Sequence, residues 1–311
     1  MKVQSVGIIG AGVIGSSWGA FYATKGFNVK MYDVDPSLCQ KGLRRAMGYA
    51  EFLRTWKLIS ENAAKKAMSD MTTVDDLDEA IKDVQLVQES ASETYEIKHQ
   101  LFQTMDASTS PDVILASSSS GLLMTEIQRV TRHPERCLIA HPFNPPHLIP
   151  LIELVPGENT SNSTISKMKD FFEGLGKIPV VLKKEAPGHI ANRLAAAVWR
   201  EATDIVLKGI ASVEDVDKAL FAGPGIRYAL MGQHLIYHLG GGEGGIKHFI
   251  DHLGPAFEQW WESMATWTSL PREAKDVLVD GVSEEIRGKS LPEIVQWRDE
   301  KIIKLLKVVQ G

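Results

Sequence analysis

Apolar and polar positions follow two different rhythms along this chain. Through residue 186, short apolar runs alternate with longer stretches in which apolar residues recur every three or four positions. The runs cover residues 3–9, 28–32, 71–74, 84–89, 113–116, 137–140, 151–155 and 178–182. They read as strands and the stretches between them as helices. Strands and helices alternating through short turns predict an α/β domain with a doubly wound parallel sheet. Leu43, Met47, Ala50 and Leu53 share one helical spacing and 56–68 reads as a second, more polar helix. The two predict a helical hairpin between the second and third strands, either a spacer or a substrate-side lid.

The polar stretch Lys183 to Glu185 and the Pro187-Gly188 break change the texture, and the domain boundary is placed there, giving domains 1–186 and 187–311. Only the helical rhythm continues beyond it. Helices are expected over 190–208, from Ser212, over 228–239, from Gly245 and over 291–309. Ser212 suits an N-cap followed by Glu214 and Asp215. Gly223 to Gly225 is expected to end the second of these. An all-helical half of this length is expected to bury a second core or to pair with another copy as a homodimer.

The first run leads into Gly10-Ala11-Gly12-Val13-Ile14-Gly15 and a small-residue helix start. In a strand–turn–helix context, Gly10 makes the tight turn, Gly12 admits a pyrophosphate and Gly15 lets helix and strand pack closely. Val13, Ile14 and Gly15 open the helix whose free N–H groups and positive dipole end face the phosphates. The second strand ends in Asp33, at the offset where an acid holds the adenosine ribose hydroxyls. That acid repels a 2′-phosphate, so the expected cofactor is NAD. Arg44 and Arg45 lie further along, but no arginine directly follows Asp33.

Composition narrows the partners. The chain has 311 residues, a net charge of −5 and 44% hydrophobic residues, which suits a soluble protein with a sizeable core and argues against nucleic-acid binding. No apolar run is long enough for a membrane span and no charged-then-apolar leader fits the N-terminus. Cys39 and Cys137, the two cysteines, have no metal-ligand spacing and suit a reducing, cytoplasmic compartment.

Ligands in doubly wound sheets sit outside the carboxyl ends of the strands. Gly10 to Gly15, Glu93, Ser117 to Ser120 and His141 all follow such ends. His141 precedes the stiff turn Pro142-Phe143-Asn144-Pro145-Pro146, and a histidine titrates near neutrality, as a base for a hydroxyl proton must. Glu153 sits inside an apolar run, where a carboxylate is costly to bury unless paired. It suits either the imidazole or some buried arginine.

Taken together, GAGVIG, ASSSSG, HPFNPP, LIELV and PGHIANRL resemble the 3-hydroxyacyl-CoA dehydrogenase superfamily, in the same order from residue 3 to about residue 232. The resemblance implies an NAD-binding Rossmann domain followed by a helical domain, in an NAD-dependent dehydrogenase. It implies His141 as general base, Glu153 as its orienting carboxylate, and Ser120 and Asn192 as ligands of the substrate oxygen. It places Glu93 and Lys98 near the nicotinamide ribose and Asn144 beside the cofactor.

The second half departs from the acyl-CoA enzymes. Residues 223–261 are similar to the carnitine 3-dehydrogenase branch and more distantly to L-gulonate 3-dehydrogenase and λ-crystallin. The implied substrate is therefore a small free L-3-hydroxy acid, with a 3-hydroxyacyl-CoA as alternative and a non-enzymatic NAD-binding relative as a third reading. Arg227 suits a carboxylate clamp or an intersubunit ion pair. Tyr228, Trp260 and Trp261 suit a cage for a quaternary ammonium, or a core or dimer contact. His234, His238, His248 and His252 recur at helical spacing without close acidic partners, which favours a polar helix face over a metal site.

Overall fold

The eight apolar runs become eight strands of one sheet. The computed structural model describes residues 3–309. In it, β1 (Ser5–Ile9), β2 (Asn28–Tyr32), β3 (Met71–Thr73), β4 (Leu86–Glu89), β5 (Ile114–Ser117), β6 (Cys137–Pro142), β7 (Leu151–Pro156) and β8 (Ile178–Val181) lie in the order β3-β2-β1-β4-β5-β6-β7-β8. The order reverses between β1 and β4, which is where such sheets open a ligand crevice. The helices α1 (Val13–Thr24), α2 (Pro36–Thr55), α3 (Glu61–Asp70), α4 (Leu77–Ile81), α5 (Tyr95–Ser108), α6 (Met124–Gln128) and α7 (Asn162–Gly174) connect them.

Side chains alternate across each strand. Val6, Ile8, Leu138 and Ala140 enter one core with Trp18, Tyr22 and Phe172; Ile9, Cys137 and Ile139 enter the other with Phe102, Met105 and Met124. Cover on both faces is why these strands read as nearly continuous apolar runs. The same alternation carries Glu89, Ser117, His141 and Glu153 to the second of these faces.

The sheet is not wholly parallel. β7 runs antiparallel to β6, and β8 is parallel to β7. Residues 143–150 are too few to form the crossover that a parallel partner requires. The reversal makes His141 and Glu153 direct Cα partners across the pair.

The contacts divide the chain into two units between Arg193 and Leu194, within α8 (Ala191–Leu207). The second unit continues with α9 (Val213–Leu220), a π-helical turn at Phe221–Gly225, α10 (Ile226–Tyr228), α11 (Gln233–Gly240), α12 (Gly245–Ser263), α13 (Ala274–Ile286) and α14 (Leu291–Val309). The expected break at 223–225 does not occur. The backbone widens into the π turn around Pro224, which accommodates a ring lacking an N–H. The helix expected over 228–239 starts only at Gln233, and α13 was not anticipated. Gly281 in α13 makes room for Val213, since a Cβ there would lie 2.3 Å from Val213 Cγ2. Among the described residues no helix is long and apolar enough to cross a membrane.

Candidate active site

The glycine turn after β1 has the form a dinucleotide needs. Gly10 adopts φ +94°, and its N–H donates to the Tyr32 carbonyl at 2.8 Å. A Cβ on Gly15 would fall 1.8 Å from the Gly10 carbonyl oxygen, so only glycine lets α1 start this close to β1. A Cβ on Gly12 would meet nothing within 4 Å. That open space adjoins the N-terminus of α1, which no side chain caps. The Ala11 N–H donates to Asp33 Oδ2 at 2.8 Å, tying the acid at the end of β2 to the turn. The open cradle, uncapped helix end and positioned acid fit NAD.

The rim beyond β4 and β5 is a network of carboxylates and donors. Glu93 Oε1 accepts from Ser119 Oγ (2.7 Å), Ser120 N (2.8 Å), Gly121 N (3.1 Å) and Ser120 Oγ (3.3 Å). Burial pushes the Glu93 carboxyl up, but these bonds and the Lys98 charge outweigh it and hold it below the usual range. Lys98, in the first turn of α5, is 1% exposed. Its ammonium lies 2.9 and 3.0 Å from the two oxygens of Glu89 and 3.4 Å from Glu93. Glu89 is fully buried and also accepts from Ser117 Oγ and from the Ala91 N–H.

Across the cleft, His141 Nδ1 lies 2.8 Å from Glu153 Oε2. The other oxygen of Glu153 accepts from the N–H groups of Ile190 (2.8 Å) and Ala191 (3.0 Å), at the start of α8. Burial alone would push the Glu153 carboxyl up. The bonds from His141, Ala191 and Ile190 and the charge of His141 outweigh it and hold the carboxyl low. An ionised carboxylate only accepts, so Nδ1 carries a proton in either state of the ring, and when the ring is neutral the lone pair is on Nε2. Asn192 Nδ2 donates to the Ser120 carbonyl at 3.1 Å, so its side chain ties α8 to the serine turn. A cleft of about 490 Å³ is lined by His141, Asn192, Ser120, Glu93, Lys98, Ile14, Phe143 and Asn144, among others.

Two further groups belong to this cluster. Glu89 could have been suspected from its place at the carboxyl end of β4, beside the switch point. His189 had no such signal. It is buried at φ +51°, its Nε2 lies 3.0 Å from the Ser119 carbonyl oxygen, and its ring centroid is 5.1 Å from that of His141.

The remaining predicted residues lie in the second unit. Arg227 and Tyr228 are exposed, and Arg227 makes no ion pair among the described residues. Trp260 and Trp261 are exposed, and both contact Phe257, which continues into Phe249 and Tyr237. Neighbouring helix positions diverge, so Trp260 and Trp261 cannot form opposed walls of one cage. In the same unit, Trp267 Nε1 donates to Asp204 at 3.2 Å. Among the described residues no group of three or more His, Cys, Asp or Glu side chains could hold a metal.

Residues 5–186 match the model of the 3-hydroxyacyl-CoA dehydrogenase NAD-binding domain, and 188–280 that of the 3-hydroxyacyl-CoA dehydrogenase C-terminal domain. The chain is 40% identical over 308 residues to the L-carnitine dehydrogenase of Streptomyces coelicolor, covering 98% of this chain and 95% of that protein. Among solved structures, it is similar to an (S)-3-hydroxybutyryl-CoA dehydrogenase from Ralstonia eutropha at 29% identity and a TM-score of 0.67, over 72% of this chain and 78% of that one. It shares its fold with FHMPC 5-dehydrogenase, an NAD+ dependent dismutase, at 24% identity and a TM-score of 0.85, over 100% and 99% of the two chains.

Proposed function

The chain belongs to the 3-hydroxyacyl-CoA dehydrogenase family, and from that premise we propose that it oxidises the 3-hydroxyl of a small free L-3-hydroxy acid, with L-carnitine as the first candidate. Bound NAD supplies the acceptor for the hydride that leaves the carbinol carbon. His141 Nε2 takes the hydroxyl proton. Glu153 fixes the tautomer and stabilises the imidazolium that results. The Ser120 hydroxyl and the second N–H of Asn192 hold the substrate oxygen. The observation that carries this reading is the 2.8 Å contact from His141 Nδ1 to a carboxylate held low, which leaves Nε2 as the basic nitrogen. Similarity to an L-carnitine dehydrogenase over nearly the whole chain supports the substrate class.

Arg227 is the residue proposed to hold the carboxylate, and the exposed ring of Tyr228 with that of either Trp260 or Trp261, which do not face each other, is proposed to take a trimethylammonium group. The second unit is the proposed homodimer surface, because Leu194, Trp199, Leu230 and Leu239 are all more than half exposed in one chain. Sedimentation as a monomer would refute that pairing.

Initial rates of NAD reduction with L-carnitine, L-gulonate and 3-hydroxybutyryl-CoA side by side test the function. Carnitine is expected to be the best substrate. The CoA ester is the second reading, favoured by the similarity to the Ralstonia enzyme, and preference for it would overturn the free-acid assignment. His141→Ala should abolish turnover and leave NADH affinity nearly intact; a parallel loss of NADH binding would defeat the base assignment.

A further inference from the structure

We propose that His189 is a positioning residue that locks the serine turn to the segment holding Glu153, and that it does so as a neutral ring protonated at Nε2. The inference rests on the base assignment for His141. His189 occupies a left-handed backbone position immediately after Gly188, which turns the chain sharply before α8 begins. The two N–H groups that follow it, Ile190 and Ala191, are those that hold Glu153 Oε1. Its side chain reaches the other way, to the carbonyl oxygen of Ser119. One residue therefore connects the backbone behind the general base to the turn that presents Ser120.

The protonation state follows from the partner. A carbonyl oxygen only accepts, so Nε2 must carry the hydrogen. Nδ1 is buried and has no hydrogen-bond partner among the described residues. A second proton there would create a buried cation whose ring centroid is 5.1 Å from His141, the ring that itself becomes charged in the proposed reaction. Burial pushes the His189 pKa down and the His141 charge adds to this, while the Ser119 carbonyl and the charges of Glu153 and Glu93 pull it up; the net shift is downward. The imidazolium forming on His141 thus meets no second positive charge from His189.

A parallel tie runs from Asn192 to the Ser120 carbonyl. Losing the His189 tie alone should therefore displace the turn without releasing it.

Two variants isolate the hydrogen bond. His189→Phe keeps a ring and removes the donor, while His189→Gln returns an N–H near Nε2. Neither suits a left-handed position better than the other, so backbone strain is common to both. With L-carnitine, His189→Phe should lose about five- to tenfold in kcat, the scale of one hydrogen bond, with NADH affinity and thermal midpoint close to those of His189→Gln. His189→Gln should recover to within about twofold of the parent. Full activity in His189→Phe, or an equal loss in both variants, would overturn the proposal.

Imidazole 15N NMR of the full chain gives an independent readout. His189 should stay in the neutral Nε2–H form at neutral pH, and a doubly protonated His189 ring there would refute the neutral-ring assignment. An active His141→Ala would instead bring down the base assignment, while the NMR result still judges His189.

Discussion

Glu153→Gln separates shape from charge at the proposed base. Glutamine fills the same space, but its two ends differ. The carbonyl end must face the N–H groups of Ile190 and Ala191, because the reversed amide would set donors against two donors. That reversal would leave buried groups unpaired at about 1–3 kcal/mol each. The amide nitrogen is then directed at His141 Nδ1, which must become an acceptor. The ring proton moves to Nε2, where the substrate proton should go.

Losing a charge-assisted hydrogen bond costs about 1.5–3 kcal/mol, or roughly 10- to 150-fold in rate. The wrong tautomer adds to this, as in the corresponding carboxylate-to-amide change in a serine protease triad, where the loss is about 10⁴. We therefore expect kcat to fall about 10³- to 10⁴-fold, with NADH affinity unchanged. Combining it with His141→Ala should add little, since both act on one proton transfer. Initial-rate NAD reduction with L-carnitine and fluorescence titration of NADH provide the assay; a kcat within tenfold of the parent would refute the reasoning. Stability supplies a second check. A carboxyl held low in the folded chain contributes stability above its unfolded pKa and loses it as pH falls through the folded value. The stability gap between parent and Glu153→Gln should shrink through that acid window.

Glu89→Ala leaves the buried Lys98 ammonium with only the longer contact to Glu93. Removing one partner of such a pair costs about 3–5 kcal/mol, so thermal unfolding should drop by on the order of 10 °C. Glu89→Leu combined with Lys98→Met should recover stability while losing NADH affinity, and a Glu89→Ala chain as stable as the parent would contradict the network. Lys177 donates to the carbonyls of Pro146 and Ile149 beneath the turn that follows His141. Burial pushes its amine down from 10.5 to about 7. Between those values the unfolded chain binds more protons than the folded one, so stability should rise with pH across that window. Guanidinium unfolding at several pH values should show this rise in the parent and its absence in Lys177→Met.

What could be read from the chain alone follows from where its information is local. The apolar runs mark all eight strands because burial on both faces demands them, and the glycine turn is readable because each position has one steric task. Ser120, His141 and Glu153 stand out because polar groups interrupt or end those runs. The direction of β7 was missed by following the alternation of elements, although the short, proline-rich link over 143–150 carried the answer. The π turn at Phe221–Gly225 reads as a break because glycine and proline signal one; neighbouring turns absorb it. Glu89 and His189 are a different case. Glu89 finds Lys98 only once α5 has packed on the sheet, and His189 depends on a left-handed turn that aims its ring at Ser119. The place of Glu89 at a strand end is readable, but its pairing with Lys98 nine residues on, like the contact of His189 with Ser119 seventy residues away, is encoded by neither residue type nor period. The proposed base and its carboxylate are thus readable because they break an apolar run, while the ties from Lys98 to Glu89 and from His189 to Ser119 emerge only from the folded chain.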